Sequence, residues 1–155
     1  MPLVLQQTSA PLTVDKIRMF LRDMPDYNIL LEDVEFTNEN IELAMELTIA
    51  KFNAMTPQSN LTVPTQLNEW VLLCGTCSKL LRSEGLRQLR NQMTAQDGNI
   101  SGIGVDEKQA LYSAWADRLD AEFSEMAQNI KIQNNMEAGY RKLWSGYITT
   151  GGWAR

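Results

Sequence analysis

The chain contains no histidine and only two cysteines, and none of its apolar runs approaches the ~20 residues that a membrane-spanning helix requires. Each absence removes a class of function. Without histidine, general acid/base catalysis would fall to carboxylates, lysine, tyrosine or cysteine, and no pair of these stands at a spacing that would tune it for the task. Gly-rich phosphate loops, HExxH and GxSxG are missing as well. The expectation is a protein that is not an enzyme and carries no cofactor. Prolines number five, the last at Pro64, so the remaining chain is free of the strongest helix breaker. At 155 residues the sequence is most simply one domain, large enough to bury roughly 70% of the surface of its unfolded chain. Its start, MPLVLQQTSAPL, lacks a basic n-region and a long apolar core, so synthesis in the cytoplasm without processing is expected.

What is present begins with charge. The formal net charge is −5, the wrong sign for a protein that holds nucleic acid by neutralising phosphates. The charge is also uneven. Residues 22–46 hold Asp23, Asp26, Glu32, Asp33, Glu35, Glu39, Glu42 and Glu46 against Arg22 alone. Residues 79–92 carry Lys79, Arg82, Arg87 and Arg90 against Glu84, and residues 131–155 carry Lys131, Arg141, Lys142 and Arg155 against Glu137. Opposite patches of this kind suit a subunit whose ends meet different partners or a copy of itself, although chance clustering on a solvated surface gives the same pattern.

The periodicity is helical. Thr13 can cap a short helix to about Arg22, with Val14, Ile17, Phe20 and Leu21 on one face. Thr37 caps a second over 38–55, where Ile41, Ala44, Met45, Phe52 and Met55, with Thr48 in the gap, follow one stripe and the glutamates lie outside it. Pro64 is placed at or near the first position of a third, long helix ending near Arg90. Along it Leu67, Trp70, Val71, Cys74, Cys77, Ser78 and Leu81 share a stripe. That placement decides the CxxC at 74–77. A redox dithiol sits at a helix N-terminus, where free amides lower a thiol's pKa, and a structural zinc needs four Cys or His ligands. Neither condition is met unless two subunits share a metal. The run Cys74-Gly75-Thr76-Cys77-Ser78 therefore reads as small residues that let another helix approach closely. A last helix is expected from Asp106 to about Gln133, along Leu111, Ala114, Trp115, Arg118, Leu119, Glu122, Met126 and Ile130, its apolar members facing inward.

Two segments break the pattern. In 91–105 the sequence Gln96-Asp97-Gly98-Asn99 reads as a two-residue hairpin turn joining 93–96 to 99–103. Such a hairpin either lies on its own bundle or reaches a neighbouring subunit, and the second is the expectation adopted. The end of the chain, "YRKLWSGYITTGGWAR", concentrates Tyr140, Trp144, Tyr147 and Trp153 with Arg141, Lys142 and Arg155. Gly146, Gly151 and Gly152 point to an extended arm there, and aromatic and arginine side chains are frequent anchors of protein interfaces. The expected architecture is an all-α bundle of about four helices over 1–133, with one protruding β-hairpin and an extended C-terminal docking arm over 134–155.

The order of these pieces, "LTVDKIRMFLRDMPDYNILLEDVEFTNENIELAMELTIAKFN", then a small-residue helix ending in "LLRSEGLRQLRNQ", a "QDGN" turn and "DEKQALYSAWADRL", resembles the small neck proteins of tailed bacteriophages, in particular head-to-tail connector (adaptor) subunits. The likeness runs over about residues 12–145. It implies a virion structural protein at the head–tail junction, a ring of about twelve copies matching the portal, and a C-terminal segment that grips the portal. Tyr140, Arg141, Trp144, Tyr147, Trp153 and Arg155 would then be the portal-binding residues, and Gln96, Asp97, Gly98 and Asn99 an inter-subunit contact. The other neighbours implied are the next neck or tail protein and double-stranded DNA passing without specific binding. Glu39, Glu42 and Glu46 suit an acidic lumen that repels phosphate, or equally an outer surface. A tail-completion or stopper-type neck protein and a cytosolic helical regulator that binds another protein remain as alternatives.

Overall fold

The computed structural model describes residues 11–28, 33–90 and 105–150, with side chains described between 109 and 139 in the last segment. Four α-helices account for most of these residues: α1 (Val14–Leu21), α2 (Asn38–Ala54), α3 (Glu69–Arg90) and α4 (Val105–Thr150). No strand occurs among the described residues. The expected hairpin at 91–104 lies outside them, including Gln96, Asp97, Gly98 and Asn99.

Local chemistry sets the helix starts and stops. The Thr13 and Thr37 hydroxyls accept from the Lys16 and Asn40 amides, capping α1 and α2 as the sequence predicts. α1 ends on Arg22 in the left-handed region at φ 59°, and the Asp23 amide donates back to the Arg18 carbonyl. Pro64 departs from expectation: it opens a 3₁₀ turn, Pro64–Gln66, and α3 starts only at Glu69. The side-chain oxygen of Gln66 accepts from the Thr62 and Val63 amides, so the turn satisfies its own backbone and the helix begins afresh after Asn68.

α3 is the central element. It packs along α4 and against α2, while α1 lies across both α2 and α3. Residues 71–78 are all buried, which a helix achieves only when neighbours surround it. Gly75 marks where three helices meet: a Cβ there would strike Thr48 Cγ2 of α2 and lie 2.8 Å from Phe123 Cδ2 of α4. The small-residue reading of 74–78 is thus borne out. The hydroxyls within this tight region are satisfied locally, Thr48 on the Ala44 carbonyl, Thr76 on Leu72 and Ser78 on Gly75. Around them Ile17, Ile41, Phe52, Val71, Leu72, Cys74, Cys77, Leu80, Leu119 and Phe123 form the core.

Two expectations for the last helix are corrected. Its inner stripe runs through Ala116, Leu119, Phe123, Ala127 and Lys131, about one position off the expected path. Leu111 and Trp115 face outward, 61% and 54% exposed, and Ala114 is exposed with them. Close approach to α3 favours alanines at the contact, so the larger apolar side chains are turned to the rim. Nor does the helix end near Gln133. The backbone stays helical to Thr150, so residues 134–150 are not an extended arm. Gly146 costs a helix about 1 kcal/mol relative to alanine, too little by itself to end one.

Candidate interaction surfaces

Three buried charged groups hold the body together, and none was singled out by sequence reasoning. The Asp23 carboxylate accepts from Arg18 Nη1 (2.9 Å), Asn28 Nδ2 (2.9 Å) and the amides of Glu35 (2.5 Å) and Phe36 (3.0 Å). One side chain thereby ties the end of α1 to the approach of α2. A short polar residue just after a helix C-cap was the available sign.

Next to it, Arg87 of α3 bonds Glu84 at 2.8 Å and Glu35 at 3.3 Å. Burial, reinforced by the facing Glu84 carboxylate, raises the Glu35 carboxyl from 4.5 to about 7. Tyr112 of α4 lies within the same field, its phenol raised by burial and by both glutamates. The arrangement is a structural knot between the α1–α2 connection, α3 and α4.

The third group is Lys131, 3% exposed on α4. Its ammonium donates to the Met55 and Pro57 carbonyls at 2.6 and 2.7 Å and lies 4.6 Å from the centre of the Phe52 ring. Those carbonyls stand at and just beyond the C-terminus of α2, where a helix presents negative partial charge. Desolvation lowers the lysine's pKa. A cavity of about 340 Å³ adjoins it, lined by Gln58, Ser59, Gln66, Asn68, Asn134 and Asn135 among others. With two carbonyls and a ring face already on the ammonium, its role is to clamp α4 to the end of α2.

The cysteines hold no reactive chemistry. Both are free and buried, and burial pushes Cys74 to about 11 and Cys77 to about 12, so neither is a thiolate near neutral pH. Among the described residues no group of three or more His, Cys, Asp or Glu is placed to hold a metal, and no described helix is long and apolar enough to cross a membrane.

What the described surface does offer is apolar area framed by charge. On α2, Glu39, Glu42 and Glu46 are exposed, and Leu43 and Leu47 are exposed beside them. On the last turns of α3, Leu86 and Leu89 are exposed among Arg82 and Arg90. Leu81, Leu111, Tyr112 and Trp115 line an open apolar groove of about 270 Å³ between α3 and α4, with Arg118 stacked 5.5 Å from the Trp115 ring centre. Beyond Lys131, every residue of α4 from 132 to 139 is exposed, including Ile132 and Met136.

Of the residues singled out for portal binding, Tyr140, Arg141, Trp144 and Tyr147 belong to the backbone of α4, while Trp153 and Arg155 lie outside the described residues. The helical backbone gives these positions a register the extended reading missed. Positions 132, 136, 140, 144 and 147 recur every four, four, four and three residues, within roughly a third of a helix circumference. Comparison with family models, with curated proteins and with solved structures gives no match for this chain.

Proposed function

We propose that the chain is a non-enzymatic subunit of a ring at the head-to-tail junction of a tailed bacteriophage, an adaptor that docks on the portal and prolongs the DNA channel toward the tail. The observation that carries this reading is the behaviour of α4 past Lys131. The stretch 132–139 holds Asn134, Asn135 and Gly139, all weak helix formers. It nevertheless leaves the body as helix with every residue exposed. A helix that projects in this way and repeats apolar or aromatic positions along one side is built to be completed by a partner.

The docking element in this proposal is the helical run 132–150. The net charge of −5 supports the passage of DNA without capture, since carboxylates repel phosphate. The test is electron microscopy of the purified protein mixed with purified portal. Rings of this chain stacked on the portal, at a copy number matching its symmetry, are the expected result. A protein that neither forms rings nor decorates the portal, or that decorates the tail end instead, overturns the adaptor reading.

A further inference from the structure

We propose that the acidic outer face of α2 in one copy docks on the basic C-terminal face of α3 in the next copy; this rests on the ring reading and names the surfaces that would make the ring. Each face is a leucine pair framed by one sign of charge. Leu43 and Leu47 are one turn apart on α2, and Glu42 and Glu46 form the adjacent row. Leu86 sits one turn from both Arg82 and Arg90 on α3, with Leu89 beside it. All four leucines are between 48% and 57% exposed.

Single exposed leucines are ordinary. Two pairs, each at helical spacing and each bordered by opposite charge, are a complementary set. Among the described residues, Glu39, Glu42, Glu46 and Arg90 make no ion pair, and the one pair made by Arg82, to Asp117 at 2.6 Å, is largely solvent-exposed on both sides and so is weak enough to be exchanged.

Charge also fixes which faces meet. Two α2 faces would oppose carboxylates to carboxylates, and two α3 faces would oppose guanidinium groups to each other. Only the crossed pairing covers both leucine pairs and brings unlike charges together. A contact between two different patches of the same chain is heterologous, and repeating it yields a closed ring when the rotation permits.

Two surface variants test this: Glu42→Arg with Glu46→Arg, and Leu86→Glu with Arg90→Glu, the second chosen to spare the Arg82–Asp117 pair. Circular dichroism first establishes that both keep the wild-type helix content. Sedimentation velocity should then show each variant as a monomer under conditions where the wild type assembles. Mixed one to one, they should associate where neither does alone, because the intact α3 face of the first meets the intact α2 face of the second.

Wild-type-like assembly of either variant, a mixture that stays monomeric, or a wild type that never self-associates overturns the docking. The two proposals fail separately. A wild type that closes at two copies, with the variants behaving as described, keeps the docking and removes the ring. Multi-copy rings that ignore both variants keep the ring and remove the docking.

Discussion

The middle of α3 and the outer part of α4 are both regular helix, yet residues 71–78 are buried without exception and residues 132–139 are exposed without exception. The first segment owes its helicity to its surroundings: glycine, threonine, serine and cysteine are mediocre helix formers, and they persist there because three helices converge on Gly75. The second holds Asn134, Asn135 and Gly139 and has no comparable surroundings within the described body. Lys131 is the border between the two regimes, the last buried side chain of α4 among the described residues. The contrast separates sequence that builds the body from sequence that the body leaves exposed.

Substitutions along this path should show effects that decline from the first region to the second. Gly75→Val is the most damaging: its side chain would enter space already filled by Thr48 and Phe123. Overpacking costs about 1–3 kcal/mol or more, and with no room on either side the upper end is expected, read as a large fall in urea midpoint or loss of soluble protein. An unchanged midpoint would mean that the three helices do not meet at Gly75.

Lys131→Ala comes second. It strands the Met55 and Pro57 carbonyls, and a buried polar group left unsatisfied costs about 1–3 kcal/mol. Chemical denaturation of this variant should show that loss with helix content retained below the transition.

The Glu35–Glu84–Arg87 knot gives an intermediate, pH-dependent effect. A carboxyl that binds its proton more tightly in the folded state stabilises the fold below its ordinary value of 4.5, and that contribution disappears as pH rises through about 7. Thermal stability should therefore fall across that window, and Glu35→Gln should flatten the dependence. Equal slopes in the two proteins would remove the knot from the account.

The smallest effect on stability, and the largest on assembly, belongs to Ile132→Glu combined with Met136→Glu. Both positions are exposed, so melting should shift by no more than about 0.5 kcal/mol equivalent, while the proposed attachment to a portal should be lost. A strongly destabilised body would show instead that this part of α4 packs on its own subunit.

Much of the body was legible in the sequence. The caps at Thr13 and Thr37, the stripe of α2 and the small-residue core at 74–78 follow from local rules that the tertiary structure leaves intact. α4 misled for two physical reasons. Leu111, Trp115 and Leu119 look equally suited to a core, and only the closeness of α3 selects Ala116 and Ala127 for the inside over larger neighbours. Gly146 looks like a stop, although one glycine opposes a helix only weakly. The buried Asp23, Glu84 and Lys131 were invisible because a charged residue does not announce the partners that permit its burial. For the C-terminal stretch the overlooked sign was the spacing of Ile132, Met136, Tyr140, Trp144 and Tyr147, which is regular only if the count begins before the aromatics do.

A helix held at one end is also a lever. The nineteen residues from 132 to 150 extend about 28 Å past the clamp at Lys131, at 1.5 Å per residue. Rotation of about 10° at that fulcrum would carry the far end sideways by about 5 Å, the width of one helical turn. The same clamp rests on the end of α2, whose outer face is the one proposed to meet a neighbouring copy. Lys131 thus joins the two places through two hydrogen bonds and the Phe52 ring.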